Sequence, residues 1–243
     1  MSRKLVVDAR VAARRRCVLA ALASVALLAG SLARAAETAP LRVVASFSVL
    51  GDMVHEIGGD HVALTTIVGP NGDAHTFEPT PKDSKALAQA QILFVNGLGF
   101  ETWMPRLVKA SGFNGLEVVA SKGVTPRTLS GAEQALEAAE EHREKSSHAG
   151  HKAKSHGHHA AEEVHDEPPR EPAYDNIDPH AWQSLANGLI YVQNITAGLS
   201  KVDPAHAADY KARADIYTAR IKSLDAKLKQ ALDANDASIE AQQ

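Results

Sequence analysis

Cysteine is almost missing from this chain. Cys17 is the single one in 243 residues, and it stands ahead of the first apolar run. It is therefore not a lipid-acceptor cysteine, which would sit at a cleavage site. Beyond it no disulfide and no thiolate-held zinc can form. Any tight transition-metal site must be assembled from imidazole and carboxylate. A membrane-length apolar run is lacking too: Cys17 to Leu32 falls short of the roughly 20 residues that a spanning helix needs. There is no excess of positive charge, with 26 Lys+Arg against 29 Asp+Glu, which argues against nucleic acid as a partner. Neither an H-E-x-x-H pattern nor a general base beside an open metal position is found, so the sequence does not read as an enzyme.

What is present begins with an export signal. Residues 1–35 combine a basic start (Arg14, Arg15, Arg16), the short apolar run and Ala33-Arg34-Ala35, an A-x-A cleavage site. The mature chain is expected to begin near Ala36. Removing the seven Lys/Arg and one Asp of that segment leaves 19 basic and 28 acidic residues, a net charge of −9. Such a surface is permissive for cations.

From Leu41 onward, strand-like and helix-like stretches alternate. Leu41–Ala45, His61–Val68, Ile92–Asn96 and Leu116–Ala120 read as strands. Val49–Ile57, stopped by Gly58-Gly59, reads as a helix, as do Pro81–Ala90, with Asp83 or Ser84 in its first turn, and Glu101–Ala110. This order predicts an α/β fold: a parallel sheet flanked by helices, with ligands at the carboxyl ends of its strands. His55 and His61 lie within or beside regular elements and read as packing or surface residues.

Residues 126–172 have a different composition. They are rich in Ala, Glu, Lys and His and nearly free of large apolar residues, so they cannot build a core. Seven of the twelve histidines fall here: His142, His148, His151, His156, His158, His159 and His165. The segment reads as a flexible, metal-contacting His-rich loop, with a transient helix over Leu136–Lys145. After it, Asp178-Pro179 starts a helix expected over Ala181–Leu199. A long helix then follows Val202-Asp203-Pro204. Its apolar residues Tyr210, Tyr217, Ile221, Leu224, Leu228 and Leu232 form one helical stripe.

Two histidines are held in proline-braced turns. His75 lies in VGPNGDAHTFEPTPKD, Val68 to Asp83, where Pro79 and Pro81 forbid helix and restrict the backbone. His180 lies in Asp178-Pro179-His180-Ala181-Trp182. Each turn adjoins the end of a regular element, and two such histidines make half of a metal site.

GDAHTFEPTPKD and DPHAW resemble the first and second ligand motifs of periplasmic zinc/manganese-binding proteins, the cluster A-I receptors of ABC-type metal importers. Ala45–Pro70 and Ala90–Met104 fit the same family, and the likeness runs from about Leu41 to Gln243 apart from the His-rich insert. The resemblance implies a non-enzymatic, monomeric periplasmic receptor with His75 and His180 as metal ligands. It would carry Zn2+ as its transported ligand to an ABC permease in the inner membrane. It also implies a lobe from residues 36–125 and 173–203, and an interlobe helix over 204–243. Family members add a second lobe bearing a third ligand and a fourth carboxylate. These are not found before Gln243, so the chain is expected to be truncated before that lobe. Asp73, Glu78 and Asp178 are candidates to orient the two imidazoles. The His-rich loop favours zinc over manganese or iron. A His-rich periplasmic zinc buffer is the reading from another class.

Overall fold

The computed structural model describes residues 39–136, 139 and 176–240. The export segment 1–35 and all seven histidines of the insert lie outside the described residues.

Four short strands form the centre: β1 (Leu41–Phe47), β2 (Val62–Val68), β3 (Ile92–Val95) and β4 (Leu116–Val119). All pair in parallel, in the order β2-β1-β3-β4. Val43, Val44, Ala45 and every residue of β3 are buried, as expected of central strands covered on both faces. β1 runs two residues further than its apolar composition predicts. Ser46 and Phe47 are buried as well, and Phe47 pairs with Val68.

The helices follow from the strand order. α1 (Ser48–Gly58) leads from β1 outward to β2. α2 (Pro81–Gln89) crosses back from β2 to β3, and α3 (Met104–Ser111) continues to β4. Crossovers of one hand that travel in opposite directions lie on opposite faces. α1 accordingly packs with α4 (Leu185–Val202) and α5 (Ala207–Glu240), whereas α2 packs with α3. The chain reverses direction between β1 and β3, the switch point at whose carboxyl ends sheets of this kind bind ligands.

Local chemistry sets the helix ends. Asp83 accepts from the backbone N–H of Thr80 at 2.8 Å and from its hydroxyl at 2.7 Å, and Pro81 takes the first helical position. α1 ends where Gly59 takes a positive φ of 54°, with the Arg213 guanidinium of α5 lying against its Cα. Gly198 lets α4 lie close on the sheet: a Cβ there would sit 2.8 Å from Val118.

Three expectations need correction. α3 starts at Met104 rather than Glu101, because Glu101 is drawn inward to accept hydrogen bonds from Asn96 and Gly97. α4 starts at Leu185 rather than Ala181. A 3-10 turn over Ala181–Gln183 precedes it, and Ser184, in extended conformation, takes the N-cap. Finally, the segment 126–172 is not an irregular loop from its first residue, although none of its described residues is buried. Thr128 pairs with Ile177 in an antiparallel bridge, flanked by Leu129 N–H to Asn176 O and Asp178 N–H to Arg127 O, both 2.8 Å. Helix also begins earlier than Leu136, over residues 131–136, capped by Ser130 and Glu133.

The stripe on α5 is covered only in its first half. Tyr210 and Ala214 are buried and Tyr217 and Ile221 partly so, a run of about 17 Å at the usual helical rise. Leu224, Leu228 and Leu232 are half-exposed. Among the described residues no helix is long and apolar enough to cross a membrane.

Candidate metal centre

The loop after β2 carries His75 at the carboxyl edge of the sheet. Asp73 folds the loop back on itself: its carboxylate accepts from the backbone N–H of His75 at 2.9 Å, from that of Thr76 at 3.0 Å, and from the Thr76 hydroxyl. The buried Trp103 indole donates to Ala74 O at 2.7 Å, and Phe77 lies against the Trp103 ring. The prolines restrict this loop, but Trp103 is what fastens it to the lobe.

His180 arrives from the other direction, at the end of the insert. The Asn96 amide, at the carboxyl end of β3, donates to Pro179 O at 2.9 Å. Asn96 is itself held in a buried network. The Tyr191 hydroxyl donates to its side-chain oxygen at 2.5 Å, and Ser121 donates to its carbonyl at 2.6 Å. The carboxylate of Glu101 accepts from Asn96 N–H, from the Ser46 hydroxyl and from Gly97 N–H. Burial pushes the Glu101 carboxyl above its ordinary pKa despite these donors. The turn around it is tight, with positive φ at Gly97, Leu98 and Gly99. Leucine rarely adopts that conformation, so the backbone here is strained.

At this edge the two imidazoles meet. His75 Nε2 lies 3.2 Å from His180 Nε2, and both rings are half-buried. A zinc ion bonded to both at about 2.05 Å would subtend an N–Zn–N angle of about 103°, close to tetrahedral. A longer metal–nitrogen bond would narrow that angle towards the octahedral right angle. The imidazole pair thus fits a transition metal without selecting one.

Aromatic rings wall the pair. Phe100 stands edge-on to His75 at 4.8 Å between centroids, Trp182 lies 5.2 Å from His180, and Phe47 packs against both Phe100 and Trp182. Asp178 sets the orientation of His180. Its Oδ1 accepts from His180 Nδ1 at 2.8 Å and from His180 N–H at 2.9 Å. That bond leaves Nε2 as the nitrogen facing His75. Burial alone would raise the Asp178 pKa. Hydrogen bonds from the His180 backbone, Arg127 and the His180 ring outweigh it and hold the carboxyl below its ordinary value.

Of the three acidic residues proposed from sequence, Asp178 contacts a histidine ring as expected. Asp73 shapes the backbone of the His75 loop, and Glu78 is exposed. Among the described residues, no group of three His, Cys, Asp or Glu is placed to hold a metal ion. Asn96, Glu101, Trp103 and Arg127 were not singled out from sequence. Nothing in their local pattern separates them from ordinary loop and helix residues.

Comparison with known proteins gives a consistent result. Residues 43–239 match the family described as zinc-uptake complex component A, periplasmic. The chain is 32% identical over 223 residues to the manganese ABC transporter substrate-binding lipoprotein PsaA of Streptococcus pneumoniae, covering 86% of this chain and 59% of that protein. It is 29% identical over 192 residues to the iron-binding protein YfeA of Yersinia pestis, covering 79% and 49%. The chain thus spans about half to three-fifths of the length of these relatives. Among solved structures, a periplasmic metal binding protein from Candidatus Liberibacter asiaticus superposes with a TM-score of 0.57 at 25% identity, over 79% of this chain and 56% of that one.

Proposed function

The chain belongs to the family of periplasmic zinc-uptake components, and from that premise we propose that it is an extracytoplasmic metal receptor that delivers its ion to an ABC permease. The ion we assign is Zn2+. The observation that carries the reading is the meeting of His75 Nε2 and His180 Nε2 at 3.2 Å, at the carboxyl edge of a parallel sheet. Residues 105 positions apart in the chain supply the two nitrogens.

The chemistry is ligation and not catalysis. Neutral imidazoles donate σ lone pairs. Asp178 holds the His180 ring in one tautomer, and the Phe47, Phe100 and Trp182 wall limits water around the pair. Imidazole suits zinc well, and the family description names zinc. A manganese or iron receptor is the second reading. It is favoured by relatives named for those metals, and the imidazole spacing accepts either geometry.

Two imidazoles fill two of the four positions that zinc prefers. We therefore expect modest, exchangeable binding at this imidazole pair, weakening as pH falls because protons compete for the same nitrogens. The test is zinc calorimetry on the full chain with the seven insert histidines replaced by Gln, so that only the lobe can respond. His75→Ala or His180→Ala should lower its affinity at least tenfold. Binding that is indifferent to both substitutions would place the metal elsewhere. Competition with Mn2+ and Fe2+ decides between the two readings.

A further inference from the structure

Arg127 stands behind the His180 turn. Its Nε and Nη2 both donate to Asp178 Oδ2, at 3.1 and 2.8 Å, while Asp178 Oδ1 holds the His180 ring and backbone. The third donor, Nη1, reaches Glu133 Oε1 at 2.7 Å. Glu133 in turn accepts from the N–H and hydroxyl of Ser130, at 2.8 and 2.7 Å. The relay therefore runs from the capped helix over residues 131–136, through Glu133 and Arg127, to Asp178 and the His180 imidazole. The backbone follows the same route, since Asp178 N–H donates to Arg127 O.

We propose that Arg127 is a positioning residue of the metal centre, acting through Asp178 to hold the His180 imidazole with Nε2 turned towards His75. This rests on the reading of His75 and His180 as ligands. The physical case has three parts. A carboxylate that swings freely cannot fix a ring. The guanidinium occupies Oδ2, which leaves Oδ1 as the oxygen that meets Nδ1. The planar fork meets Asp178 with two nitrogens and Glu133 with a third, a spread of donors that the single ammonium nitrogen of Lys does not reproduce. A cation beside a metal site would ordinarily repel the metal. Here Glu133 offsets the Arg127 charge, so the relay positions the ring at little electrostatic expense. Groups that orient a ligand in this way typically change metal affinity 10- to 100-fold when removed.

The experiment uses the full chain with the seven insert histidines changed to Gln. Zinc affinity is measured by calorimetry, and the His180 ring is followed by nitrogen NMR in the metal-free protein. Arg127→Gln should lower zinc affinity about tenfold, and His180 should lose its single Nδ1-protonated signature to an averaged one. Arg127→Lys should recover only part of the affinity. Glu133→Gln should cost less than Arg127→Gln. In a His180→Ala background, Arg127→Gln should change nothing further. The proposal is overturned if Arg127→Gln leaves the His180 signature unchanged, if it raises affinity, or if its effect persists without His180. Should zinc bind away from His75 and His180, the functional reading fails, and the metal-free NMR signature still decides whether Arg127 orients the ring.

Discussion

Among the described residues, two pairs of histidines are in mutual contact, one at each edge of the sheet, and they are built in opposite ways. At the carboxyl edge, His75 and His180 point Nε2 at one another with their rings tilted by 54°. At the other edge, where β2 begins, His61 and His206 lie face to face, 3.9 Å between centroids and 19° from parallel. Their nitrogens turn outward to separate carboxylates. His61 Nε2 meets Asp209 at 3.0 Å, and His206 Nδ1 meets Asp203 at 2.6 Å. Stacking places two ring faces together, and a ring face does not ligate a metal through its σ lone pair. Proximity of two histidines is therefore a poor sign of a metal site. Convergence of their nitrogens on one point is the informative feature.

The supports differ as well. Behind the convergent pair lies the buried network of Asn96, Glu101, Ser46 and Tyr191. The stacked pair joins α5 to the lobe through groups that are partly wet: Asp209 is 61% exposed and His61 32%. The first arrangement holds an oriented site against the entropy of two loops. The second is a helix-docking contact.

Removing each pair in turn separates their roles. In the chain lacking insert histidines, the double substitution His75→Ala, His180→Ala should abolish zinc binding by the lobe. The double substitution His61→Ala, His206→Ala should leave affinity within a factor of about two. Equal losses from both, measured by calorimetry, would show that stacked histidines at the far edge also take part.

Next in size is the support beneath the convergent pair. Glu101→Ala leaves the Ser46 hydroxyl and the N–H groups of Asn96 and Gly97 without their acceptor. Denaturant unfolding should show a loss of about 3 kcal/mol, the scale of several unsatisfied buried donors. A loss below about 1 kcal/mol would mean that water replaces the carboxylate.

The smallest effect belongs to the stacked pair. Asp203 accepts from the Tyr210 hydroxyl at 2.7 Å as well as from His206. Its burial tends to raise the carboxyl pKa, but the Tyr210 and His206 hydrogen bonds prevail and hold it below the ordinary 3.8. A depressed carboxylate contributes stability above its unfolded pKa and loses it as pH falls through the folded value. Asp203→Asn should cost about 1 kcal/mol at neutral pH, and progressively less as pH falls below the ordinary carboxylate value of 3.8 and through the depressed folded value, where the native carboxylate protonates too. A gap between parent and variant that stays constant across thermal melts from pH 7 to pH 2.5 would remove the electrostatic explanation.

Much of this was legible in the residues themselves. Apolar runs and helical periodicity marked all four strands and the helices around them: the central β1 and β3, buried on both faces, demand near-continuous apolar runs, whereas the edge strands β2 and β4 alternate. Pro79, Pro81 and Pro179 marked two loops whose backbones could not be helical, and each loop held one histidine. What the residues could not show was the junction of the two loops. The order β2-β1-β3-β4 places the chain reversal between β1 and β3, and only that geometry carries His75 to His180 across 105 positions. The supports were hidden for the same reason. Asn96, Glu101, Trp103 and Arg127 act through contacts 4 to 95 residues distant, which leave no local pattern. The stripe on α5 shows the converse. Sequence periodicity drew it unbroken to Leu232, but burial stops near Ile221 where the lobe's own surface ends. Periodicity is a property of one helix, whereas covering it takes a neighbouring surface, and only the tertiary structure supplies that.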